Sequence, residues 1–274
     1  MMVKENISIE DIKKMSYVEF VGFINQWNVL PGAHTTLSKW RTFANINEKS
    51  NILEIACSTG FSSRELAILT DCRGKAIDIS KQSIQSAINN KKEYASKIKI
   101  DYLVEDAYHF ATKEKFSHII IGAALKFFPE PQVIIDKFTT LLDESGYILA
   151  SPFYIKSTIP KELVDEFRAV FGFTPTTESY KEIMKGYKEL EIVYEDHNDI
   201  IQETKEELDY YCTCTVKRVY MTKNLEDKEI YKVIYDRLYQ IKEMSNKLRP
   251  YQRYVVLVLR YRSKLFPNRY IELF

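Results

Sequence analysis

Residues 52–60 read Ile-Leu-Glu-Ile-Ala-Cys-Ser-Thr-Gly. An apolar run of this length that closes in small residues and is followed by Ser62 predicts a buried strand, a tight turn and the start of a helix. Together these form a nucleotide-binding device, because small residues let the backbone approach a ligand and a helix N-terminus offers unpaired N–H groups to negative charge. Outward from it, Ala76-Ile77-Asp78 reads as a second strand that ends in an acid eighteen residues after Gly60. Open α/β folds hold a ribose by its two hydroxyls at that place. Tyr102-Leu103-Val104-Glu105-Asp106-Ala107 then gives a third strand with an acid at its end.

Two further stretches complete the series, Phe116-Ser117-His118-Ile119-Ile120-Ile121-Gly122 and Gly146-Tyr147-Ile148-Leu149-Ala150. The five in this order resemble the motifs of the class I S-adenosylmethionine-dependent methyltransferases. The likeness spans roughly residues 45–155, with a closing strand expected near 254–262. It implies an α/β fold, a doubly wound, mostly parallel seven-stranded Rossmann-like sheet, with S-adenosylmethionine as cofactor and S-adenosylhomocysteine as product. It also implies roles. Glu54 would organise the loop or reach the methionine amine, while Ala56, Ser58 and Gly60 would let the backbone approach. Asp78, with Ile79 beside it, would take the ribose; Asp106 would accept from the adenine amino group and Ala107 donate its N–H to the ring. Ala123 would flank the methionine moiety, and Lys126 and Phe127 would face the acceptor. The chain departs from the family at the first two loop glycines, where it has Ala56 and Ser58, residues that enter positive φ less readily than glycine.

A chain of 274 residues with 45% hydrophobic and 28% charged content suits one substantial core with an added cap. The formal net charge of +1 supplies no global field for a polyanion or an anionic membrane. The N-terminal residues lack an apolar core with a cleavage site, and no segment approaches the ~20 apolar residues of a membrane span, so a cytoplasmic location is expected. Four cysteines in such a chain are expected as free thiols. Cys212 and Cys214, two apart and without a second pair, do not make a zinc site, and no metal is expected.

The expected organisation is an N-terminal helical lid at 1–45, a cofactor-binding core at 46–199, a helical cap insertion at 200–249, and the closing strand and tail at 250–274. Ser8 starts one helix carrying Ile12 through Trp27, which Pro31-Gly32 stops; Ser62 and Ser80 cap the first two core helices. A short strand is expected at Leu190–Tyr194 and helices at about 204–222 and 226–248.

Methyl transfer from a sulfonium is an in-line displacement that depends chiefly on holding the reactants in near-attack geometry and excluding water. Few catalytic groups are therefore needed. His34, in a turn before a helix that should border the cofactor, is the candidate base. Trp27, Tyr154 and Tyr210 join Lys126 and Phe127 as candidate acceptor contacts. His118 reads as a core residue, and His109 and His197 as loop residues. A small-molecule acceptor methylated at oxygen, nitrogen or activated carbon is the reading that results. Two rivals remain: a nucleic-acid methyltransferase using the basic stretch Arg237–Arg269, which has one acid, Glu243, and a methyltransferase-like binding protein with a weakened cofactor loop. Oligomeric state is not encoded legibly.

Overall fold

The computed structural model describes residues 7–262. Its centre is an eight-stranded sheet: β1 Asn51–Ile55, β2 Arg73–Asp78, β3 Lys99–Val104, β4 Phe116–Gly122, β5 Leu142–Ala150, β6 Phe153–Ile155, β7 Glu191–Asp199 and β8 Gln252–Arg260. β1 to β5 pair in parallel in the order β3-β2-β1-β4-β5; β8 follows antiparallel to β5, and β7 lies antiparallel on the far side of β8. β6 also pairs with β8, Phe153 opposite Tyr254, in the register set by Ala150 opposite Leu257. It therefore continues β5 beyond Ser151-Pro152, and the sheet keeps the seven positions expected of it. Strand order reverses between β1 and β4, and a crevice for ligands opens at the carboxyl ends of strands at such a point.

Both sheet faces are covered, which is why the central strands β1 and β4 are mostly apolar. All of β1 is buried. Ile52 and its neighbours on one face pack with Leu37 and Trp40 of α3 (Ala33–Phe43), Leu66 of α4 (Phe61–Thr70) and Ile84 of α5 (Lys81–Tyr94). Leu53 and Ile55 on the other pack with Ile134 and Phe138 of α6 (Pro131–Thr139). Complete burial of one such aliphatic side chain contributes about 1.5–3 kcal/mol.

A third cluster belongs to a helical layer. It draws Ile12 from α1 (Ile9–Lys14), Phe20 and Phe23 from α2 (Tyr17–Phe23), Phe167 and Phe171 from α7 (Lys161–Phe171), Val216 from α9 (Lys205–Lys223), and Ile234 and Leu238 from α10 (Lys228–Leu248). The short α8 (Tyr180–Met184) instead packs on the α6 side of the sheet.

Three local expectations are corrected. The N-terminal segment forms two helices, because Ser16 and Glu19 make a second capping box after that of Ser8 and Asp11 and Met15 turns extended between them. α4 starts one residue early with Gly60 as N-cap at φ 76°, and the N–H of Ser63 is satisfied by the Glu54 carboxylate at 3.0 Å in place of a Ser62 cap. β7 runs on to Asp199, paired with β8 on both sides of a register shift at Val193, so His197 lies in a strand; its polar sequence, normal for an edge strand, hides it. As expected, His118 is a buried core residue, with Nε2 2.8 Å from the Ala44 carbonyl and Nδ1 2.8 Å from Ser117 Oγ.

Candidate functional site

The loop after β1 has the conformation glycine would give it. Ala56 lies at φ 52°, Ser58 at φ 50° and Gly60 at φ 76°. Two non-glycine residues are thus held in the left-handed region, at about 1–2 kcal/mol each. Asp78 explains how Ser58 stays there: its Oδ2 accepts the Ser58 N–H at 2.8 Å while Oδ1 accepts the Ser80 N–H at 2.8 Å. At Gly60 an added Cβ would lie 2.6 Å from the Tyr102 ring, which would have to shift to admit it.

Two acids are buried in this loop's foundation. Glu54 is 5% and Asp78 4% exposed, and burial raises the pKa of both against the hydrogen bonds that favour their charged forms. Glu54 spends its carboxylate on the start of α4, through Ser63. Burial likewise pushes the Cys57 thiol well up, with the charges of Glu54 and Asp78 adding to the shift. Cys57 is therefore an inert neutral thiol at the base of the loop.

Beside Asp78 the surface changes character. Ile79 is 70% and Val104 44% exposed, two apolar side chains in the open at the ends of β2 and β3. Asp106 turns the chain after β3, its Oδ1 accepting from the Tyr108 N–H at 2.8 Å and its Oδ2 lying 3.1 Å from His109 Nδ1; Ala107 is buried behind it. The left-handed turn at Ala56, Ser58 and Gly60, the Asp78 carboxylate beneath it and the apolar shelf of Ile79 and Val104 beside it suit a nucleoside, so the residues present fit S-adenosylmethionine.

Across the switch point, Gly122 at φ 56° leads through Ala123 into the turn of Leu125–Phe127. The Lys126 residue is exposed, yet its ammonium lies 5.3 Å from the Phe127 ring and 5.1 Å from that of Phe173, just beyond α7. Desolvation by these neighbours lowers its pKa to about 8. His34, exposed in the first turn of α3, sits 5.2 Å from the ring of Phe61, the residue after the loop glycine. The fold thus brings His34 to the cofactor loop and joins Lys126 and Phe127 to the helical layer.

The other three candidates have different settings. Trp27 packs on the Arg64 guanidinium at 4.0 Å and on Tyr94 at 5.1 Å. Tyr154 is buried, its hydroxyl 2.7 Å from His197 Nδ1, with His197 Nε2 2.5 Å from Glu195. Tyr210 is 72% exposed on an open groove between α9 and α10. The cap tyrosines largely pack on one another, Tyr220 with Tyr231 and Tyr235 with Tyr239.

Sequence reading missed Thr59, Asn25, Asn90 and Arg64, which tie the loop to the N-terminal segment. No local pattern marks Thr59, Asn25 and Asn90, because their partners lie 31 to 65 residues away in sequence. The basic C-terminal stretch is largely occupied. Arg237 donates to the carbonyls of Ile12 and Met15, Arg249 pairs with Glu203, Arg253 with Asp199, and Arg260 and Arg262 with Glu191. Lys264 and Arg269 lie outside the described residues. Among the described residues no group of three or more His, Cys, Asp or Glu is placed to hold a metal ion, and no helix is long and apolar enough to cross a membrane.

Comparison with known proteins agrees with this geometry. A family profile described as a methyltransferase domain matches residues 46–243. A malonyl-[acyl-carrier protein] O-methyltransferase of Ilyobacter polytropus is 26% identical over 168 residues, which cover 60% of this chain and 61% of that one. The match therefore spans under two thirds of that relative. The crystal structure of MccD protein superposes with a TM-score of 0.70 at 25% identity, covering 86% of this chain and all of that one. A methyltransferase of Geobacter sulfurreducens, solved with S-adenosylhomocysteine, gives 0.68 at 16% identity, covering 89% and 98% of the two chains. With this profile matching residues 46–243 and the sheet order and left-handed loop after β1 on the page, the chain belongs to the methyltransferase domain family, among the class I S-adenosylmethionine-dependent methyltransferases.

Proposed function

We propose that this protein transfers the methyl group of S-adenosylmethionine to a small-molecule acceptor held between the cofactor loop and the helical layer. The observation that carries this reading is the layer itself. Helices from both ends of the chain share one apolar cluster, and the layer meets the carboxyl edge of the sheet where Lys126 and Phe127 touch Phe173. Such a roof serves to exclude water and hold an acceptor in place, which is most of what this reaction needs. In this reading the described part of residues 1–45 and residues 200–249 form the lid and cap over a core at 46–199, and β8 closes the sheet. Asp78, Ile79, Asp106 and Ala107 hold the nucleoside, Glu54 with Ala56, Ser58 and Gly60 shapes the loop, and Ala123 borders the methionine portion. His34 is the candidate base, and Lys126 and Phe127 face the acceptor, with Trp27 and Tyr154 as further contacts; Tyr210 faces the open groove between α9 and α10 instead.

Support for a small acceptor comes from the pairing of the basic stretch, which removes most of the free charge a polyanion would need. The Ilyobacter polytropus relative is named as an O-methyltransferase of malonyl-[acyl-carrier protein], which makes acyl thioesters that carry a free carboxylate the first acceptors to try. Free thiols at Cys57, Cys72, Cys212 and Cys214 support a cytoplasmic setting. The test is methyl transfer from labelled S-adenosylmethionine to a panel of acyl thioesters, amines and phenols, with RNA and DNA alongside. Turnover on a small molecule that His34→Ala or Lys126→Met reduces supports the reading; labelling of nucleic acid alone refutes it.

A further inference from the structure

The cofactor loop is bolted to the helical layer through Thr59. Thr59 Oγ donates to the Gln26 carbonyl at 2.7 Å, and the Thr59 carbonyl accepts from Asn90 Nδ2 and Arg64 Nη1, each at 3.2 Å. Asn90, buried on α5, also exchanges two side-chain hydrogen bonds with Asn25, at 2.8 and 2.9 Å. Asn25 holds a left-handed turn at φ 48° just past the end of α2. Its carbonyl and that of Ile24 accept from Arg218 Nη2 of α9 at 2.7 and 3.3 Å. Arg64, fully buried, stacks on Trp27 in the same strap, and its Nη2 has no hydrogen-bond partner among the described residues.

These contacts form one continuous path from the residue between Ser58 and Gly60 to the middle of a cap helix. Its links are backbone carbonyls, the buried amides of Asn25 and Asn90, and the guanidinium groups of Arg64 and Arg218, so a displacement at one end is felt at the other. The loop end is also the strained end, with Ser58 held left-handed next to Thr59. A cofactor seated on the loop fixes its backbone, and a fixed Thr59 fixes the strap.

We propose that Thr59, Asn90 and Asn25 are positioning residues which couple cofactor occupancy to the order of the cap, so that the acceptor site is completed only after the cofactor is seated. This rests on the cofactor site described above. Coupling of this kind needs no large movement, since ordering by one ligand lowers the cost of ordering by the next.

The experiment uses the full chain and S-adenosylhomocysteine as probe, followed by hydrogen exchange and calorimetry. In the unaltered protein, saturating probe should slow exchange in residues 22–30 and around Arg218 as well as in the loop. Asn25→Gly keeps the left-handed turn and removes only the amide; Asn90→Leu and Thr59→Val break the other links. Each folded variant should bind the probe about 3- to 10-fold more weakly, the effect of one net hydrogen bond, and show protection confined to the loop. Thermal melts identify a variant that has failed to fold, and Asn25→Gly, the mildest change, then decides. Full strap protection with unchanged affinity in Asn25→Gly overturns the proposal, as does a saturated unaltered protein whose strap exchanges as before. Failure of the unaltered protein to bind the probe at all instead refutes the cofactor site.

Discussion

The Asp78 carboxylate accepts the Ser58 N–H at 2.8 Å and so anchors a serine at φ 50°, in a backbone region where glycine is the usual occupant. The same carboxylate is the candidate ribose acceptor. In the proposed reading one side chain both builds the loop and offers its remaining lone pairs to the cofactor, which would link loop shape and affinity.

Glycine at either strained position should stabilise the fold. Relief of the left-handed conformation gains about 1–2 kcal/mol, while glycine's freer unfolded chain takes back about 0.4–1 kcal/mol. Ala56→Gly and Ser58→Gly are each expected to add about 0.5–1 kcal/mol in urea unfolding, and a loss of stability would show that the loop conformation is wrong.

Asp78→Asn should weaken S-adenosylhomocysteine binding by about 10- to 100-fold, because charge-assisted bonds of about 1.5–3 kcal/mol are lost and an amide N–H₂ is set against backbone donors. Burial raises the folded-state pKa of Asp78, so its charged form is the one that folding disfavours. Its contribution to stability is therefore best at low pH and falls as pH rises from the ordinary carboxylate value through the raised one. Affinity goes the other way, falling as pH drops through that raised value and the acceptor is neutralised. Calorimetry from pH 7.5 downward should show this slope in the unaltered protein and a flatter one in Asp78→Asn.

Gly74 and Gly60 should resist replacement for different reasons. At Gly74 an added Cβ would lie 1.9 Å from the Ile52 carbonyl, inside the pairing of β2 with β1, so Gly74→Ala should fail to give soluble, folded protein. At Gly60 the clash is with the movable Tyr102 ring. Gly60→Ala should fold, unfold at lower temperature and bind S-adenosylhomocysteine poorly, a split visible by comparing circular dichroism with calorimetry.

His118 should make stability sensitive to mild acid. Desolvation holds its pKa below 6.5, so the unfolded chain takes up a proton before the folded one does. The stability it supports is complete above that ordinary value and is lost as pH falls through the window beneath it. Urea midpoints measured between pH 7 and 5 should decline, and His118→Gln should remove part of the decline.

Much of this protein was legible in residues 52–122, because parallel strands buried on both faces must be written as short apolar runs, and the acids at their ends break those runs at visible positions. The mostly parallel sheet, the tight turn after β1 and the acid at the end of β2 followed from that pattern and its resemblance to a family, while the order of the strands came from the structure. The start of α4 did not, since its donor is satisfied by Glu54, nine residues earlier, through the fold. β7 was half hidden, because an edge strand tolerates the polar residues that obscure alternation. The contact between Thr59 and the strap at Gln26 was wholly a matter of tertiary structure: a threonine and a carbonyl 33 residues apart have no sequence signature until two helices and a sheet bring them within 2.7 Å. Periodic burial is a local property that each segment records by itself, whereas a long-range hydrogen bond belongs to the assembled chain.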